Sequence, residues 1–342
     1  MNVLVTGATG FVGAVLMPEL VRRYGAGSVA AFVLPGDTIP SSWKDAGVRT
    51  FAGDIADAAA VREAAAGRSH IVHMAGLISY WEGDADGLRR VNEAGVGSVV
   101  EAALQAGVER LVHISSVGAV GFLGNGTPAD ERTPFNWHED ILYMASKRRG
   151  QDIVEKAVWE RGLRAVILAP ASIMGPGDHN PATPHNQLYR RISRGLFLGS
   201  FAGGLAIVDV RDLVAIILKA LEGKGANGES YLVVGANLPY RDVIRRIGRA
   251  CGKRTYPFPI PAPWLAAAGS ILERAARRTG RRPLLTAAYG RLSGWTAYYD
   301  NAKSRAEFGH DYIDPDRTIA DGWRYFRETF QEGVKPTFLR KK

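Results

Sequence analysis

Cysteine and long apolar runs are what this sequence lacks most. Its 342 residues include a single cysteine, Cys251, which excludes an internal disulfide and a metal site built from several cysteines. No apolar run approaches the ~18 residues that a membrane-spanning helix requires. The first residues lack the basic, apolar and small-residue succession of a secretory signal peptide. A reducing, cytoplasmic setting is therefore expected.

The sequence also has few histidines, and its acidic residues are fewer than its basic ones. The seven histidines are scattered, so no metal site is predicted. Basic residues outnumber acidic ones by 43 to 34, for a net charge of +9. The excess is either solvated surface or a site for an acidic partner, namely a phosphate-bearing substrate, coenzyme A or an anionic membrane. Nucleic acid is not expected, because stacking aromatic residues are not interleaved with the basic ones. Much of the excess lies late, at Arg274, Arg277, Arg278, Arg281, Arg282, Arg340, Lys341 and Lys342.

The first residues carry a pattern typical of dinucleotide binding. An apolar run at 2–6 predicts a buried parallel strand, and three glycines, at 7, 10 and 13, follow it at the start of a helix. Glycine there leaves bare backbone at the tight turn, at the approach of a pyrophosphate and at the contact between helix and strand. The residues of this turn predicted to bind the cofactor are Gly7, Thr9, Gly10, Phe11 and Val12.

The end of the second predicted strand, 28–33, is where such folds select their cofactor. An acidic residue there binds the ribose hydroxyls of NAD, whereas an arginine pairs with the 2′-phosphate of NADP. Val33 and Leu34 occupy these positions, and Leu34 is still predicted to contact the cofactor. Asp37 is either a displaced ribose ligand or a turn residue. NAD and NADP therefore both remain open.

The later strand-like runs end in small or polar residues. Strand, turn and helix alternate about six times in the first half of the chain, which predicts a doubly wound parallel sheet of the Rossmann type. Ligands bind at the carboxyl ends of such strands. Asp54 is either an acceptor for the adenine amino group or a helix N-cap, and His73 is interpreted as structural. The cofactor contacts predicted at these ends are Asp54, Ile55, Ala75, Gly76, Ser115, Pro170 and Ile173, with Asn92 on the intervening helix.

Tyr143 and Lys147 are four residues apart in a predicted helix, so the phenol and the ammonium lie on one face. A tyrosine ionises near pH ~10. A neighbouring cation favours the phenolate, so Lys147 is expected to lower the pKa of Tyr143 and make it a usable proton donor or acceptor. Ser116 follows a strand end and is expected nearby.

The remaining chain is predicted to shape the substrate site. Residues 1–170 are interpreted as an NAD(P)-binding domain whose core strands continue in part after 200, residues 171–335 as a mostly discontinuous substrate-binding lobe, and 336–342 as a basic tail. Strand-like runs at 196–200, 206–209 and 229–234, and helices near 240–251 and 263–278, are assigned to the lobe. The apolar residues predicted to line the substrate mouth are Leu77, Tyr80, Trp81, Trp137 and Met174.

In their order and spacing, these motifs resemble the extended short-chain dehydrogenase/reductases. The resemblance is strongest to the branch that contains dihydroflavonol reductases, 3β-hydroxysteroid dehydrogenases and hopanoid-associated epimerase-like proteins. It implies that Ser116, Tyr143 and Lys147 form the catalytic set, and that the chain forms a homodimer. Ala169 departs from the family, which often has arginine there. The matching segments are TGATGFVG from Thr6, GDI from Gly53, VNEAGVGS from Val91, YMASK from Tyr143, GPGD from Gly175, AIVDVRDL from Ala206 and YYDNAKS from Tyr298.

The implied reaction reduces a ketone or aldehyde to an alcohol, or runs in reverse, with Tyr143 as general acid or base. The apolar mouth favours a hydrophobic substrate, such as an aromatic, steroid-like or acyl compound. The alternative is a nucleotide-sugar epimerase or dehydratase, for which Arg190, Arg191 and Arg194 are either diphosphate ligands or a solvated helix face. A binding or regulatory protein that keeps the cofactor without catalysis is a third hypothesis, which the intact catalytic set argues against.

The segment Pro263–Arg278 predicts an amphipathic helix beside the arginine cluster. Peripheral contact with a membrane is one interpretation of such a helix, and packing against the substrate lobe is the other. The apolar residues that define its pattern are Trp264, Leu265, Ala268, Ile271 and Leu272.

Overall fold

The structure is a computed structural model that describes residues 1–196 and 199–331. Its strands, in chain order, are β1 Val3–Thr6, β2 Val29–Val33, β3 Arg49–Ala52, β4 His70–His73, β5 Arg110–Ile114, β6 Ala165–Pro170, β7 Ser172–Met174, β8 Gly199–Phe201, β9 Gly204–Asp209, β10 Ser230–Val233, β11 Ala236–Pro239 and β12 Phe258–Ile260.

Helices alternate with these strands through the first half of the chain. They are α1 Phe11–Tyr24, α2 Ser41–Ala46, α3 Ala58–Ala65, α4 Ala85–Arg89, α5 Gly95–Ala106, α6 Leu142–Arg161, α7 Pro184–Ser193, α8 Val210–Leu221, α9 Tyr240–Ala250, α10 Ala262–Thr279, α11 Ala287–Leu292, α12 Ala302–Phe308 and α13 Pro315–Phe330. In the described part of the chain, none of them is long and apolar enough to cross a membrane.

Seven of the described strands form one parallel sheet, in the order β10-β6-β5-β4-β1-β2-β3. Strand β1 pairs with β2 on one side and with β4 on the other, so Val3 lies opposite both Val29 and His70. The strand order reverses here, and open α/β sheets bind their ligands at the carboxyl ends of the strands beside such a reversal. The predicted doubly wound parallel sheet is confirmed.

The strand sequences are apolar because helices cover both faces of this sheet. Strands β1, β2 and β6 are buried at every position. Residues of α1 and α8 complete the hydrophobic core on one face, and residues of α3, α5 and α6 complete it on the other. Apart from the edge strand β3, which is largely exposed, these strands have little exposed surface, so polar side chains gather at the carboxyl edge of the sheet.

A smaller lobe follows β6, with two small sheets of order β11-β9-β7 and β12-β8. Helices α7, α9 and α13 form its core, in which Tyr189, Ile247 and Phe326 are buried. The lobe is discontinuous in sequence, because α8 and β10 return to the main sheet between its parts.

Three sequence predictions differ from this fold. The strand at 229–234 was assigned to the smaller lobe, which is wrong, because β10 pairs with β6 and Ser230 lies opposite Ile167. A short strand that is buried on both faces has no periodic pattern to show which sheet it joins. Here α8 leads the chain back to the main sheet, and β10 pairs there. Strand β7, which begins two residues after Pro170, is not among the predicted strands. Asn92, predicted to lie on a helix between strands, lies in the π-helical residues Arg90–Ala94.

Two predicted segments fall partly or wholly outside the described residues. In the predicted strand at 196–200, residues 197–198 lie outside the described part, and the described end belongs to β8. The predicted basic tail at 336–342 lies outside it altogether.

Candidate active site

The glycine turn between β1 and α1 is shaped for close approach. Gly7 has a φ of +68°, and a Cβ there would lie 2.8 Å from the Ala75 nitrogen at the end of β4. A Cβ on Gly13 would lie 2.1 Å from the Ala8 carbonyl oxygen. Gly10 caps α1 without a side-chain hydrogen bond, so no side chain satisfies the first N–H groups of the helix. These groups and the helix dipole fit the pyrophosphate of a dinucleotide.

Asp37 folds back onto this turn from the end of β2. The Thr9 hydroxyl donates to Asp37 Oδ2 at 2.6 Å, and the Leu34 N–H donates to the same oxygen at 3.2 Å. The Asp37 carboxylate therefore lies beside the glycine turn, although Asp37 comes three positions after Leu34 at the strand end. Leu34 itself is exposed at the strand end.

Asp54 lies at the end of β3, where the adenine half of a dinucleotide is expected. Its Oδ1 accepts from the Ala56 N–H at 2.8 Å, and its Oδ2 accepts from Arg90 Nε at 3.1 Å. The helix-cap alternative for Asp54 is wrong, because the N-cap of α3 is Asp57, whose carboxylate accepts from two backbone N–H groups. Ile55 is buried beside this corner.

Ser116, Tyr143 and Lys147 meet at the carboxyl edge of the sheet. Ser116 lies two residues beyond the end of β5, whereas Tyr143 and Lys147 lie on successive turns of α6. The Ser116 hydroxyl is close enough to the Tyr143 phenol to lower its pKa. The Lys147 ammonium donates to the Ile114 carbonyl oxygen at 3.0 Å. It also lies 4.0 Å from the position that a Cβ would take on Gly76, at the end of β4.

Burial dominates the titration of this set. It raises the pKa of Tyr143, while the hydrogen bond with Ser116 acts to lower it. Burial also lowers the pKa of Lys147 to about 8. The expected lowering of the Tyr143 pKa by Lys147 is not found, because the desolvation of the phenol outweighs its hydrogen bond and the ammonium is engaged by the Ile114 carbonyl. The buried ammonium is itself the group with the near-neutral pKa.

Two buried histidines lie beneath the ammonium. His73 and His113 face each other on β4 and β5, with ring centroids 5.3 Å apart. Burial, together with the positive charge of Lys147, lowers the pKa of His73 to about 3. Burial lowers the pKa of His113 well below its ordinary value, with His73 and Lys147 adding to the effect. Both rings are therefore neutral at physiological pH, and Lys147 is the positive charge at this strand end.

Two residues predicted to contact the cofactor form hydrogen bonds within the protein. The Ser115 hydroxyl donates to Gln151 Oε1 at 2.7 Å, within the packing of α6 on the sheet. Asn92 donates to the Leu77 carbonyl and to the Ser146 hydroxyl, both at 2.9 Å, and accepts from the Leu77 N–H. Both amide hydrogens of Asn92 are thus occupied. Asn92 positions the loop that begins at Leu77, because it joins this backbone to α6.

The other predicted contacts lie at strand ends. Ala75 and Gly76 lie two and three residues beyond the end of β4, and Gly76 is exposed beside Lys147. Pro170 ends β6 opposite Val233 of β10. Ile173 lies in β7, half-buried against the main hydrophobic core. Phe11 and Val12 are half-buried in the first turn of α1.

Aromatic rings extend from the phenol into the smaller lobe. The Tyr143 ring contacts that of Tyr80 at 5.6 Å between centroids, and Tyr80 contacts Tyr289 of α11 at 5.1 Å. Tyr289 contacts Phe201 of β8 at 5.6 Å, and Phe201 contacts Tyr240 of α9 at 5.0 Å. We call these five residues the aromatic row. Sequence reasoning identified Tyr80 and missed the last three, because they come from segments that only the fold brings together.

The other predicted mouth residues are less directly placed. Trp137 is 6% exposed, donates its indole N–H to the Val120 carbonyl at 2.7 Å, and packs against Phe122 and Trp295. Met174 was predicted to line the mouth but is 3% exposed in the core of the smaller lobe, because β7 turns its side chain towards α7 and α13.

Leu77 and Trp81 bracket Tyr80 in the loop after β4. The Leu77 side chain approaches α4, where a Cβ on Gly87 would lie 3.1 Å from it. The Trp81 ring packs over Gly83. This loop therefore holds Tyr80 between two anchored side chains.

His185 was also missed. Its Nε2 lies 2.8 Å from Asp178 Oδ2, and its ring centroid lies 5.7 Å from that of Phe11 in the glycine turn. His185 belongs to α7 of the smaller lobe, so it brings that lobe against the cofactor turn. The GPGD motif marks Asp178, but no local pattern marks its partner. Across residues 1–196 and 199–331, no three His, Cys, Asp or Glu side chains group as metal ligands.

Comparisons with known proteins find relatives that match most of the chain. A model of the NAD dependent epimerase/dehydratase family matches residues 3–234. Sterol demethylase protein B of Methylococcus capsulatus is 30% identical, over 96% of this chain and 99% of its own. A putative dihydroflavonol 4-reductase of Synechocystis is 28% identical, over 94% of each. The crystal structure of gox2253 superposes with a TM-score of 0.82 at 28% identity, covering 98% of this chain and 99% of its own.

A pH dependence follows from the buried lysine. The pKa of Lys147 is about 8 against an ordinary 10.5, so between these pH values the unfolded chain binds more protons than the folded chain. The desolvation cost is fully present below this window and is relieved as pH rises through it. We expect the free energy of unfolding of the wild type, relative to Lys147→Met, to rise by roughly 3 kcal/mol across the window.

Urea denaturation of both proteins at several pH values measures this difference. Lys156→Met, which removes an exposed lysine of the same helix, is the matched control and should leave the pH slope of the wild type unchanged. A difference between wild type and Lys147→Met that stays constant with pH would contradict the assignment.

Proposed function

The chain belongs to the NAD dependent epimerase/dehydratase family, and from that premise we propose that it interconverts a ketone and an alcohol on a hydrophobic substrate. It is an oxidoreductase of the extended short-chain type that uses a nicotinamide dinucleotide, so the predicted enzyme class and the predicted resemblance are confirmed. The catalytic roles, the substrate class and the preference between NAD and NADP are the proposed parts.

The aromatic row is the observation that carries the substrate class. It runs without a break from the Tyr143 phenol to Tyr240 in the smaller lobe, so a ligand that reaches the phenol meets ring faces and edges. Aromatic surfaces bind fused-ring and aromatic compounds through burial and ring contacts. Two relatives, a sterol demethylase protein and a putative dihydroflavonol 4-reductase, are named for compounds of the same class.

The residues of the catalytic set have separate tasks in this proposal. A nicotinamide held at the strand ends would supply hydride to the substrate carbon or accept it from there. The neighbouring hydroxyls of Ser116 and Tyr143 bind the substrate oxygen together. In the reducing direction Tyr143 gives its proton to that oxygen, and in the oxidising direction it takes the proton back. Lys147, whose pKa is about 8, places a titratable amine at the same strand end.

Asp37 supports a preference for NAD. Its carboxylate is fixed beside the glycine turn by Thr9 and the Leu34 N–H, where the adenosine ribose is expected. A carboxylate accepts hydrogen bonds from the ribose hydroxyls and repels a 2′-phosphate. Asp37 thereby takes the role of the acidic residue that is missing at the end of β2.

Two further expectations stay predictions. The homodimer rests on family resemblance alone, and the cytoplasmic setting rests on the single cysteine. The epimerase or dehydratase alternative rests on Arg190, Arg191 and Arg194, which lie in or after the last turn of α7, with Arg190 half-buried and the other two exposed. It is retained as an outcome of the substrate assay below.

Replacing the reacting phenol tests the catalytic assignment. We expect Tyr143→Phe to lower turnover by about 10²–10⁴, because the general acid is lost while the ring remains. Cofactor binding should barely change. Absorbance at the reduced nicotinamide band measures turnover, and fluorescence titration measures the dissociation constant of the cofactor. Tyr80→Phe is the control, since its ring is in the same row and its hydroxyl has no proposed task. A Tyr143→Phe enzyme with near wild-type turnover refutes the role.

The cofactor preference is tested at Asp37. We expect Asp37→Ser to raise the ratio of kcat/KM for NADP to that for NAD roughly tenfold or more, because the repulsion of the 2′-phosphate is removed. Asp45→Ser, an exposed carboxylate of α2, is the matched control and should leave the ratio unchanged. If the ratio in Asp37→Ser equals that of the wild type, Asp37 is a turn residue only.

The substrate class is tested with two assays and one variant. Oxidation of reduced cofactor with fused-ring and aromatic ketones should be readily measured, whereas UDP-sugars should not be isomerised. Tyr289→Ala should raise the KM for such a ketone roughly tenfold, because a central ring of the row is lost. Trp159→Ala, an exposed aromatic residue of α6, should not. Isomerisation of UDP-sugars without ketone reduction would establish the epimerase instead.

A further inference from the structure

Exposed apolar side chains concentrate in one short segment of the chain. In the described residues, six of the twelve large hydrophobic side chains that are exposed lie between 256 and 284. Soluble proteins rarely gather such residues without a partner surface. The six are Tyr256, Phe258, Trp264, Ile271, Leu272 and Leu284, and we call them the apolar patch.

Helix α10 forms the centre of this patch. It buries only Gly269 and Ala276, on the side that packs against α11. The packing is close there, since a Cβ on Gly269 would lie 2.4 Å from the Thr286 carbonyl carbon. Trp264 and Ile271 are seven residues apart and so share one face of the helix. That face points away from the rest of the protein, and Trp264 is 72% exposed.

The same segment carries most of the net positive charge. Between 253 and 284 there are seven basic residues and one acidic residue, Glu273, which leaves six of the nine net positive charges in the chain. Arg277 pairs with Glu82, and Arg282 pairs with Asp84. The other five have no ion pair with any residue in the described ranges, namely Lys253, Arg254, Arg274, Arg278 and Arg281.

We propose that the apolar patch and these five cations form a docking surface for an anionic lipid bilayer. An interfacial helix inserts its apolar face at the boundary of headgroups and acyl chains, while its basic residues contact anionic headgroups. Both requirements are met on α10 and its flanking segments. A second copy of this chain is a poor occupant, because two surfaces of the same strong positive charge repel each other. A bilayer supplies both apolar depth and negative charge.

This surface adjoins the aromatic row of the candidate active site. Helix α10 packs on α11, and α11 carries Tyr289 of the aromatic row. The pair of Arg277 with Glu82 ties α10 to the loop that follows Tyr80. A docked protein would therefore present its aromatic row near the membrane surface. Delivery of a lipid-soluble substrate from the bilayer rests on the proposed function, whereas docking itself does not.

Vesicle flotation of the full chain tests the docking. With vesicles of phosphatidylcholine containing phosphatidylglycerol, most of the protein should float at low salt. The floated fraction should fall with added salt and be small on pure phosphatidylcholine, because anionic headgroups and screening govern the electrostatic part. Absence of flotation on the anionic vesicles at low salt overturns the proposal.

Variants locate the bound surface. The double variant Trp264→Ser, Ile271→Ser and the triple variant Arg274→Gln, Arg278→Gln, Arg281→Gln should each weaken vesicle binding at least tenfold. Trp159→Ser removes a tryptophan that is as exposed, on α6, and should bind like the wild type. Thermal unfolding followed by circular dichroism establishes that each variant is folded. Unchanged binding in both α10 variants assigns any lipid contact to another segment and overturns the proposal.

Two further measurements separate the alternatives. Light scattering after size exclusion reports the oligomeric state. If the wild type is a dimer and the Trp264→Ser, Ile271→Ser variant is a monomer, the apolar patch is a dimer interface instead of a lipid-docking surface. Turnover of a water-soluble ketone is followed in the same proteins and should be unchanged in the α10 variants. Flotation without ketone turnover in the wild type would refute the proposed function and leave the docking surface standing.

Discussion

The burial of the Lys147 ammonium at the carboxyl edge of the sheet is the constraint on which the site depends. Desolvation disfavours this charge, and the Ile114 carbonyl is the hydrogen-bond partner that the fold supplies. The group is held there because helix α6 packs against the sheet with Lys147 on its inward face, from which the ammonium reaches the end of β5. The phenol one turn earlier is thereby brought to the Ser116 hydroxyl.

The neighbourhood of the ammonium is arranged so that its charge is the dominant one. His73 and His113 lie beneath it as neutral rings, since their protonation would place two further buried charges beside it. Ser115 is turned into the helix packing, and Asn92 is engaged with the Leu77 backbone.

The smaller lobe supplies aromatic side chains and a histidine to the candidate site. It contributes three rings of the aromatic row, and it brings His185 against Phe11 in the glycine turn. The apolar patch lies on the outer side of the same lobe, one helix away from Tyr289. The proposed hydrophobic substrate and the proposed lipid surface are compatible. Both would contact aromatic and aliphatic side chains that the smaller lobe does not bury in its own core.

The sequence by itself determined the parallel sheet, the glycine turn and the shared helix face of Tyr143 and Lys147, whereas the addition of Ser116 to a catalytic set was implied by the family resemblance. Each of the first three depends on local spacing: apolar runs make strands, glycines make the turn, and a four-residue interval puts two side chains on one helix face. Tertiary structure decided the rest. Asp37 reaches Thr9, β10 joins the main sheet, Met174 enters the lobe core and Tyr289 reaches Tyr80 only through packing between distant segments. A local sequence pattern does not show which distant residues come into contact, because these contacts depend on how the helices and strands pack together.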